Sequence, residues 1–524
     1  MTSTTDVEGA AAASAPAAAM SRREVLQALS GLMMGIFVSI LAATIVSNAL
    51  PVIIAELDGS QSIYTWVVTA ELLAMTVTVP LWGKLADLVS QKLLVQLSLG
   101  LFVAGSLLAG FSQDTTMLIV ARVVQGIGAG GLTALVQIVM ASIIPPRELG
   151  RYAGIFGAVF AVATVAGPLI GGVIVDTSWL GWRWCFFIGV PFALAAIVLL
   201  QKTLKLTTVR RRDVRIDWLG ALLITAGVSL LLVWVTLAGD RYDWLSAETA
   251  LMVGGSLVLL ALAVLVESRV AEPIIPLDIF RNRTITLTVA ASALVGVALF
   301  GGTVFLSQYF QISRGYSPTA AGLLSLPLIG GLLVSSTVAG ALITKTGLWK
   351  RYLVAGAALM TVGFGLLATI SAGTSMWLIG TYMAVLGVGV GMLMQNLVLA
   401  AQNDVPAREL GSATSVLSFF RSLGGTIGVS ALGAVLAASV TRDLSVLGGS
   451  SDGGTTVPDV TTLPAEVRTL VQDAYGDATA ELFLIATPLA ALALVVVLFL
   501  KEKPLKTTSG AERLAEEQAQ LPVH

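Results

Sequence analysis

GIGAGGLTALVQIVMASIIPPRELG, at residues 126–150, recurs in altered form 261 positions later as GVGVGMLMQNLVLAAQNDVPARELG, at residues 387–411. Both copies carry glycines at alternate positions of an apolar stretch, and both end on Arg-Glu-Leu-Gly. A second match, at an offset of 257, aligns Gly83 with Gly340. Small residues in apolar helices let helix backbones approach closely within a membrane. The sequence therefore predicts two related helical halves.

The composition identifies an integral membrane protein. The chain has 524 residues, of which 56% are hydrophobic and 12% charged, and its mean hydropathy is +0.90. Soluble domains carry about 25% charged residues. The net charge of −1 offers no basic surface to nucleic acid. One cysteine, Cys185, and one histidine, the terminal His524, exclude a disulfide framework, a Cys/His metal cluster and an internal histidine base.

A helix that spans a bilayer needs about 20 apolar residues. Fourteen such runs follow one another along the chain, and we label them α1 to α14. They cover 31–50, 62–82, 93–111, 117–140, 152–175, 184–201, 218–238, 249–266, 285–310, 320–343, 352–370, 376–400, 412–438 and 480–500. We expect an all-α membrane protein with 14 transmembrane helices.

The distribution of lysine and arginine predicts the orientation of these helices. If the N-terminus lies inside the cell, 23 of the 30 basic residues fall in inner segments and 5 in outer segments. Cytoplasmic loops of membrane proteins carry this excess of positive charge. We therefore expect a multi-pass protein of the cell inner (plasma) membrane with both termini in the cytoplasm.

The position of the repeat divides the chain. Residues 31–201 and 284–500 form two six-helix bundles, and residues 202–283 carry α7, α8 and their cytoplasmic linkers. We expect a disordered cytoplasmic tail at 1–30, an outer loop at 441–479 and a cytoplasmic tail at 501–524. Because both bundles enter the membrane in the same direction, the repeat is parallel. Transporters with such repeats bind substrate between two bundles that rock against each other.

Three motifs follow one another in a recognisable order along the first half. GKLADLVSQK (83–92) follows the apolar core of α2, RVVQGIGAGG (122–131) lies in α4, and AGPLIGG (166–172) lies in α5. Together they resemble the signatures of the major facilitator superfamily, and within it the 14-span drug:proton antiporters of the QacA/EmrB type. The resemblance implies the major-facilitator fold, with two extra helices between the bundles.

The resemblance also implies roles for these motifs. Asp87 would latch the two halves together in a cytoplasmic gate with Gly83 and Lys92, where Gly83 would permit a tight turn. The signature of α5 is associated with antiporters, and its residues here are Gly154, Gly167, Pro168, Gly171 and Gly172. Two gate positions depart from the family pattern, since Leu88 replaces a basic residue and Ser90 replaces glycine.

Charged residues well inside the predicted helices are the candidate coupling residues. Relatives usually carry an acid in α1 where this chain has Ala42, so that role cannot be assigned here. Glu71 in α2 is the only acid well inside the fourteen predicted spans. An intramembrane carboxylate is a functional candidate by default, so we expect Glu71 to bind a proton or to anchor a cationic substrate. The alternatives are a fixed Glu–Arg pair and an acid turned toward the interface between the halves.

Two arginines and one glutamine complete this set. Arg122 and Gln125 belong to the α4 motif, and the resemblance assigns Arg122 to the coupling of proton release with substrate binding. The alternative is an arginine that extends to the outer interface. Arg421 lies near the middle of α13, and the offset of 261 places it opposite Phe160, so the repeat is asymmetric where charge matters.

Neutral polar residues could line a substrate cavity. These are Gln308, Tyr309 and Gln311 in α9, with Gln395 and Asn396 in α12. They suit an amphipathic, cationic or neutral, drug-like substrate. The alternative is a dedicated exporter of one endogenous metabolite, such as an antibiotic, siderophore or lipid.

An enzyme is disfavoured because the chain has no internal histidine and only one buried acid. We expect no catalytic residue, no metal and no cofactor, with a proton gradient as the energy source. The expected partners are small amphipathic substrates, protons and the lipid bilayer. We expect no nucleic acid partner and a monomeric protein.

Overall fold

The structure is a computed structural model that describes residues 22–57, 61–177, 179–204, 217–238, 242–270, 272–445 and 464–519. All regular elements in these ranges are helical. Fourteen helices are long and apolar enough to cross a membrane, in the order expected from the sequence. The number of spans and the all-α class are therefore as predicted.

The observed helices keep the labels given above. They are α1 Arg22–Glu56, α2 Gln61–Leu88, α3 Gln91–Gly110, α4 Thr115–Ile143, α5 Pro146–Asp176, α6 Gly189–Thr203, α7 Trp218–Leu237, α8 Ala247–Glu267, α9 Arg283–Gln308, α10 Leu326–Thr346, α11 Lys350–Leu367, α12 Met376–Asp404, α13 Leu410–Ser445 and α14 Ala465–Leu498. The short helices Trp184–Phe187 and Pro318–Leu324 precede α6 and α10, and a π-helical turn at Tyr309–Ser313 continues α9. A fifteenth helix, α15, covers Gly510–Ala519.

Several helices extend beyond the apolar runs that predicted them. Residues 22–30 of the expected disordered tail belong to α1, and residues 1–21 lie outside the described ranges. Residues 465–479 of the expected outer loop are helical, as the first part of α14. A polar residue does not end a helix, because the backbone bonds continue until a cap, a glycine or a proline interrupts them. Hydropathy therefore located the spans but not their ends.

The repeat is visible in backbone contacts. A Cβ atom on Gly126 would meet the carbonyl oxygen of Glu71 in α2, and one on Gly387 would meet the carbonyl oxygen of Leu328 in α10. The same correspondence holds one turn further on, where Gly130 lies against Met75 and Gly391 against Leu332. Each pair is related by the offsets read from the sequence. The two halves are thus built on one backbone plan.

Two helix pairs form the boundary between the halves. Helix α5 packs against α10, where a Cβ on Gly157 would lie 3.4 Å from Leu333 Cδ1. Helix α2 packs against α13 in the symmetry-related position. The inserted helices α7 and α8 pack on each other, with the Ser256 hydroxyl donating to the Gly227 carbonyl at 2.8 Å. Helix α7 also contacts α2 and α13, so the insertion lies beside the boundary.

Candidate functional site

We call the membrane face at which α1 begins and α14 ends the basic face, since most lysines and arginines of the sequence belong to its loops. At this face Asp87, near the end of α2, reaches the first turn of α13. Its Oδ1 accepts a hydrogen bond from the Gly411 amide at 2.8 Å. Its Oδ2 accepts from the Ser412 amide at 2.8 Å and from the Ser412 hydroxyl at 2.7 Å. A carboxylate here satisfies free backbone amides and meets the positive end of the helix dipole.

Glycine permits this contact. A Cβ on Gly83 would overlap the Ser415 side chain, and one on Gly411 would overlap the Asp87 carboxylate and the Gly83 carbonyl. The expected tight turn at Gly83 is wrong, because α2 remains helical to Leu88. Gly83 instead lets the backbones of α2 and α13 touch, which closes the halves against each other at the basic face.

The two gate lysines differ in position. Lys84 is buried and its Nζ lies 2.6 Å from Glu272 Oε2, in the segment that follows α8. This ion pair ties the inserted helices to the gate motif. Lys92 instead donates to the Gln201 carbonyl at 2.7 Å, within the first half. The structure therefore does not bring Lys92 to the boundary with Asp87.

A polar layer near the same face was not anticipated from the sequence. Gln402 in α12 donates to Thr414 Oγ1 at 3.0 Å and to the Gln137 carbonyl of α4 at 3.5 Å. Over it lies the C-terminal segment, in which the buried Arg513 donates to the carbonyls of Gln402 and Val405. Burial lowers the pKa of the Arg513 guanidinium from its ordinary value, while Glu517 and Glu516 raise it.

The C-terminal segment touches both halves. Gly510 packs against Leu410 of α13 and against Ala141 and Ser142 of α4. The Arg147 amide, at the start of α5, donates to the Lys506 carbonyl at 3.3 Å. Nothing in the composition of the tail distinguishes it from a solvated extension. The sequence carries no signal of docking, because the burial of Arg513 cannot be read from composition.

Deeper in the first half, four polar side chains form a connected cluster. The Glu71 carboxylate is paired with Arg122 Nη2. Arg122 Nη1 donates to Gln125 Oε1 at 2.8 Å, and Gln125 Nε2 donates to Ser106 Oγ at 3.0 Å. Arg122 is 1% exposed and Glu71 5% exposed. The alternative of an arginine that extends to the outer interface is thus wrong, and the two candidate charges are partners.

The α4 glycines hold this cluster in place. Gly126 and Gly130 lie against α2, while Gly128 lies against Ser98 and Phe102 of α3. Gly105 of α3 lies against the Gln125 backbone. Three helix backbones therefore converge at the cluster, and little space remains for water. In such a place an ionised carboxylate depends on its partner, because an unpaired buried charge is costly.

The antiporter signature packs on α1. A Cβ on Gly167 would overlap the Thr44 side chain, and one on Gly171 would lie 3.1 Å from the Ile45 carbonyl oxygen. Thr44 Oγ1 donates to the Ala163 carbonyl at 3.3 Å. Gly172 has open space around it. Gly154 and Pro168 belong to α5, but their side-chain placement lies outside what the structure describes.

The neutral polar candidates separate into two groups. Gln395 and Asn396 line a narrow cavity between α4 and α12, and Gln395 also lines a second small cavity bounded by α5 and α10. Gln308, Tyr309 and Gln311 lie instead around the π-helical turn of α9. There the Tyr309 hydroxyl donates to the Ser371 carbonyl at 2.7 Å, and Gln311 Nε2 donates to Ser307 Oγ at 3.0 Å. Only the α12 pair borders the boundary cavities.

Arg421 is buried in α13, 5% exposed, and its backbone carbonyl packs against Gly296 of α9. It does not join the cluster of Glu71 and Arg122. Among the described residues, no groups of His, Cys, Asp and Glu could hold a metal ion.

A family model of the Major Facilitator Superfamily matches residues 32–429. The chain belongs to the major facilitator superfamily. It is 36% identical over 510 residues to an uncharacterised MFS-type transporter of Mycobacterium tuberculosis, with 96% of this chain and 73% of the relative covered. It is 35% identical over 416 residues to the multidrug transporter protein MdtP of Bacillus subtilis, with 79% and 76% covered.

The fold agrees with solved members of the superfamily. The proton:xylose symporter XylE superposes with a TM-score of 0.60 at 14% identity, covering 94% of this chain and 99% of that one. The family match and the multidrug relative make this chain a multi-pass membrane transporter and not an enzyme. The expected family, fold and transporter class are confirmed.

Proposed function

We propose that this protein exports amphipathic, drug-like small molecules in exchange for protons, by alternating access between its two halves. The observation that carries the proposal is the buried pair of Glu71 and Arg122, held by the α4 motif against α2 and α3. The likeness to the multidrug transporter protein MdtP supports an efflux role. The excess of lysine and arginine on the basic face supports a cytoplasmic location for that face and for both termini.

A proton would act on this pair as follows. Protonation of Glu71 removes the negative charge that faces Arg122 and leaves a buried guanidinium without its counter-ion. Breaking a buried ion pair in this way costs about 3–5 kcal/mol. The protonated state is therefore relieved by any rearrangement that gives Arg122 water or another acceptor. Movement of α2 and α4 against each other would do so, which couples proton binding to a change in helix packing.

The gate at the basic face supplies the second requirement of exchange. Asp87 and the first turn of α13 join the halves when this face is closed, and they must separate when it opens. Hydrogen bonds to a charged group contribute about 1.5–3 kcal/mol each. Three of them make a latch strong enough to favour the closed state and weak enough to be broken by binding energy.

The substrate would lie at the boundary, where Gln395 faces aromatic and apolar side chains of α5 and α10. Asn396 lines the neighbouring cavity, together with apolar side chains of α4, α5 and α12. Few polar groups among apolar walls suit an amphipathic molecule of loosely specified structure. A neutral substrate fits this lining. A cationic substrate was expected to use Glu71 as its anchor, but that carboxylate already has a partner. We propose that no cofactor takes part and that the protein works as a monomer.

Inverted membrane vesicles test the proposal. The lumen is made acidic, and a panel of a lipophilic cation, a neutral steroid and an aromatic carboxylate is offered outside. We expect at least one compound to accumulate in the lumen, and a protonophore to abolish its accumulation. Glu71→Gln, which can still accept a hydrogen bond from Arg122, should abolish accumulation driven by the pH gradient. Accumulation that persists in this variant, or that ignores the gradient, contradicts proton coupling.

The same panel distinguishes the alternative of a dedicated exporter. Movement of several unrelated compounds supports a multidrug pump. Movement of a single class supports dedicated export, because a specific site rejects analogues that leave its polar groups unpaired.

A further inference from the structure

Arg421 makes no hydrogen bond and no ion pair with any residue that the structure describes, although it is only 5% exposed. Its Nη1 atom is enclosed without an acceptor. Arg122, at similar burial, has three partners: Glu71, Gln125 and the Val67 carbonyl. Of the two deep arginines, only Arg122 has its charge and its hydrogen-bond donors paired with groups of the protein.

An uncompensated guanidinium at membrane depth is unfavourable. Arginine near the centre of a spanning helix is costly to insert, and such residues pair with one another, with carbonyls or with a ligand. Arg421 pairs with none of the protein groups available to it among the described residues. The unpaired burial of Arg421 is explained if a bound ligand supplies the hydrogen-bond acceptor for its guanidinium.

The repeat places Arg421 at the boundary between the halves. Its counterpart in the first half is Phe160, which lines the small cavity between α5, α10 and α12. In the second half, α13 carries Ser415 against Gly83 of α2, so α13 also borders the boundary. Arg421 therefore occupies the position at which the first half presents an aromatic wall to the substrate region.

The register of α12 and α13 brings a second unpaired group to the same depth. Gln402 of α12 is hydrogen-bonded to Thr414 of α13. These helices are antiparallel. Seven residues back along α12 from Gln402 is Gln395, and seven residues forward along α13 from Thr414 is Arg421, so the two residues lie at the same depth. The buried Gln395 Oε1 also lacks a partner, and Gln395 lines both boundary cavities. One turn before Arg421, the buried Ser418 hydroxyl lacks a partner as well.

We infer that Arg421 binds the carboxylate of an amphipathic organic anion, with Ser418 and Gln395 as further hydrogen-bonding groups, so that organic carboxylates are substrates. The inference rests on the proposed export function and names its substrate class. Guanidinium binds carboxylate through two parallel hydrogen bonds, which makes arginine the residue suited to this group. A serine three residues away lies on the same helix face and can donate to the same ligand.

The charges of the interior favour an anion over a cation. Glu71 and Arg122 neutralise each other, which leaves Arg421 as the one deep charge among the described spans without a counter-ion. A lipophilic cation at the boundary would face this positive charge in a medium of low dielectric constant, where repulsion is strong. A carboxylate would instead remove the cost of the buried guanidinium when it binds.

The inference has an electrical consequence. Exchange of one proton moving in for one monovalent anion moving out transfers two positive charges inward, whereas exchange for a neutral molecule transfers one. The membrane potential acts on each charge that is transferred. An interior-negative potential should therefore accelerate export of a carboxylate more than export of its neutral analogue.

The test uses the full chain in proteoliposomes, with pyrenebutyrate and its uncharged methylamide as matched probes. Wild-type protein should transport the carboxylate at least tenfold faster than the amide, with the larger current per molecule. Arg421→Gln should lower carboxylate transport at least tenfold and leave amide transport within twofold. Arg442→Gln is the matched control, since Arg442 lies on the same helix, is exposed and is paired with Glu481; it should change neither probe.

Three outcomes overturn the inference. Wild-type protein that moves the amide but not the carboxylate contradicts it without any variant, so a poorly folded Arg421→Gln would not weaken the test. Equal loss of both probes in folded Arg421→Gln assigns Arg421 to packing. If neither these probes nor any compound of the wider panel is moved by the pH gradient, the proposed export function itself fails.

Discussion

Leu328 occupies in the second half the place that Glu71 occupies in the first. The carbonyl of each residue lies against a motif glycine, Gly387 for Leu328 and Gly126 for Glu71. The offsets that relate the halves also place Met383 opposite Arg122 and Leu386 opposite Gln125, and all three apolar residues are buried. The same backbone thus holds a polar cluster in one half and an apolar cluster in the other. Nothing in the packing of these helices requires charge, so the charge of the first half has another use.

A graft between the halves tests this conclusion. The triple variant Glu71→Leu, Arg122→Met and Gln125→Leu installs the apolar set of the second half. We expect it to fold with thermal stability near that of the wild type, because replacing a buried ion pair by apolar residues is often neutral or stabilising. It should lose all transport driven by the pH gradient.

Single replacements are the controls for the graft. Glu71→Leu alone leaves Arg122 without its counter-ion and should destabilise the protein by about 3–5 kcal/mol. Unfolding in detergent, followed by tryptophan fluorescence, measures these differences. A triple variant less stable than this single variant would indicate that the cluster is structural.

The gate can be opened from the glycine that allows its contact. Gly83→Ala places a methyl group on the Ser415 side chain and the Gly411 carbonyl, so it should push α2 away from α13 and weaken the bonds of Asp87. We expect a shift toward the state open at the basic face and at least a tenfold loss of transport.

Gly100→Ala on α3 is the control, since that position has open space. Because Cys185 is the only cysteine, distances between labels on α2 and α13 can be measured in a Cys185→Ala background. No change in these distances would contradict the gate.

The antiporter signature contains its own matched pair of glycines. Gly167→Ala would meet the Thr44 side chain, whereas Gly172→Ala meets nothing within 4 Å. We expect the first to separate α5 from α1 and to reduce transport. The second should leave transport unchanged and stabilise the helix by about 0.4–1 kcal/mol through its lower chain entropy. Transport rates in vesicles and unfolding in detergent measure both effects. Equal effects would show that contact with α1 is not what this motif provides.

The sequence located the helices and the motif residues, because apolar length and glycine spacing are local signals. The pairing of Glu71 with Arg122 depends on where α2 and α4 cross, which the sequence left open. The paired state of Lys84 depends on the loop after α8, for which no pattern was available. The separation of Lys92 from the gate depends on its contact with the end of α6, where it donates to the Gln201 carbonyl. The docking of the C-terminal segment was missed for a similar reason. Its residues include many charged and exposed side chains, and one buried arginine does not change the composition of a tail.

The C-terminal segment should stabilise the closed state of the basic face, since it touches both α4 and α13. Arg513→Ala removes the hydrogen bonds to the carbonyls of Gln402 and Val405. Bonds from a charged donor contribute about 1.5–3 kcal/mol, so we expect the population open at the basic face to rise by about tenfold or more. The measurement is the rate at which a membrane-impermeant maleimide labels a cysteine introduced at Gln137, in the background without Cys185. Arg408→Ala is the control, because Arg408 lies at an exposed position of the loop between α12 and α13. This variant should leave the labelling rate unchanged. A labelling rate in Arg513→Ala equal to that of the control would mean that the segment rests on the transporter without acting on its gate.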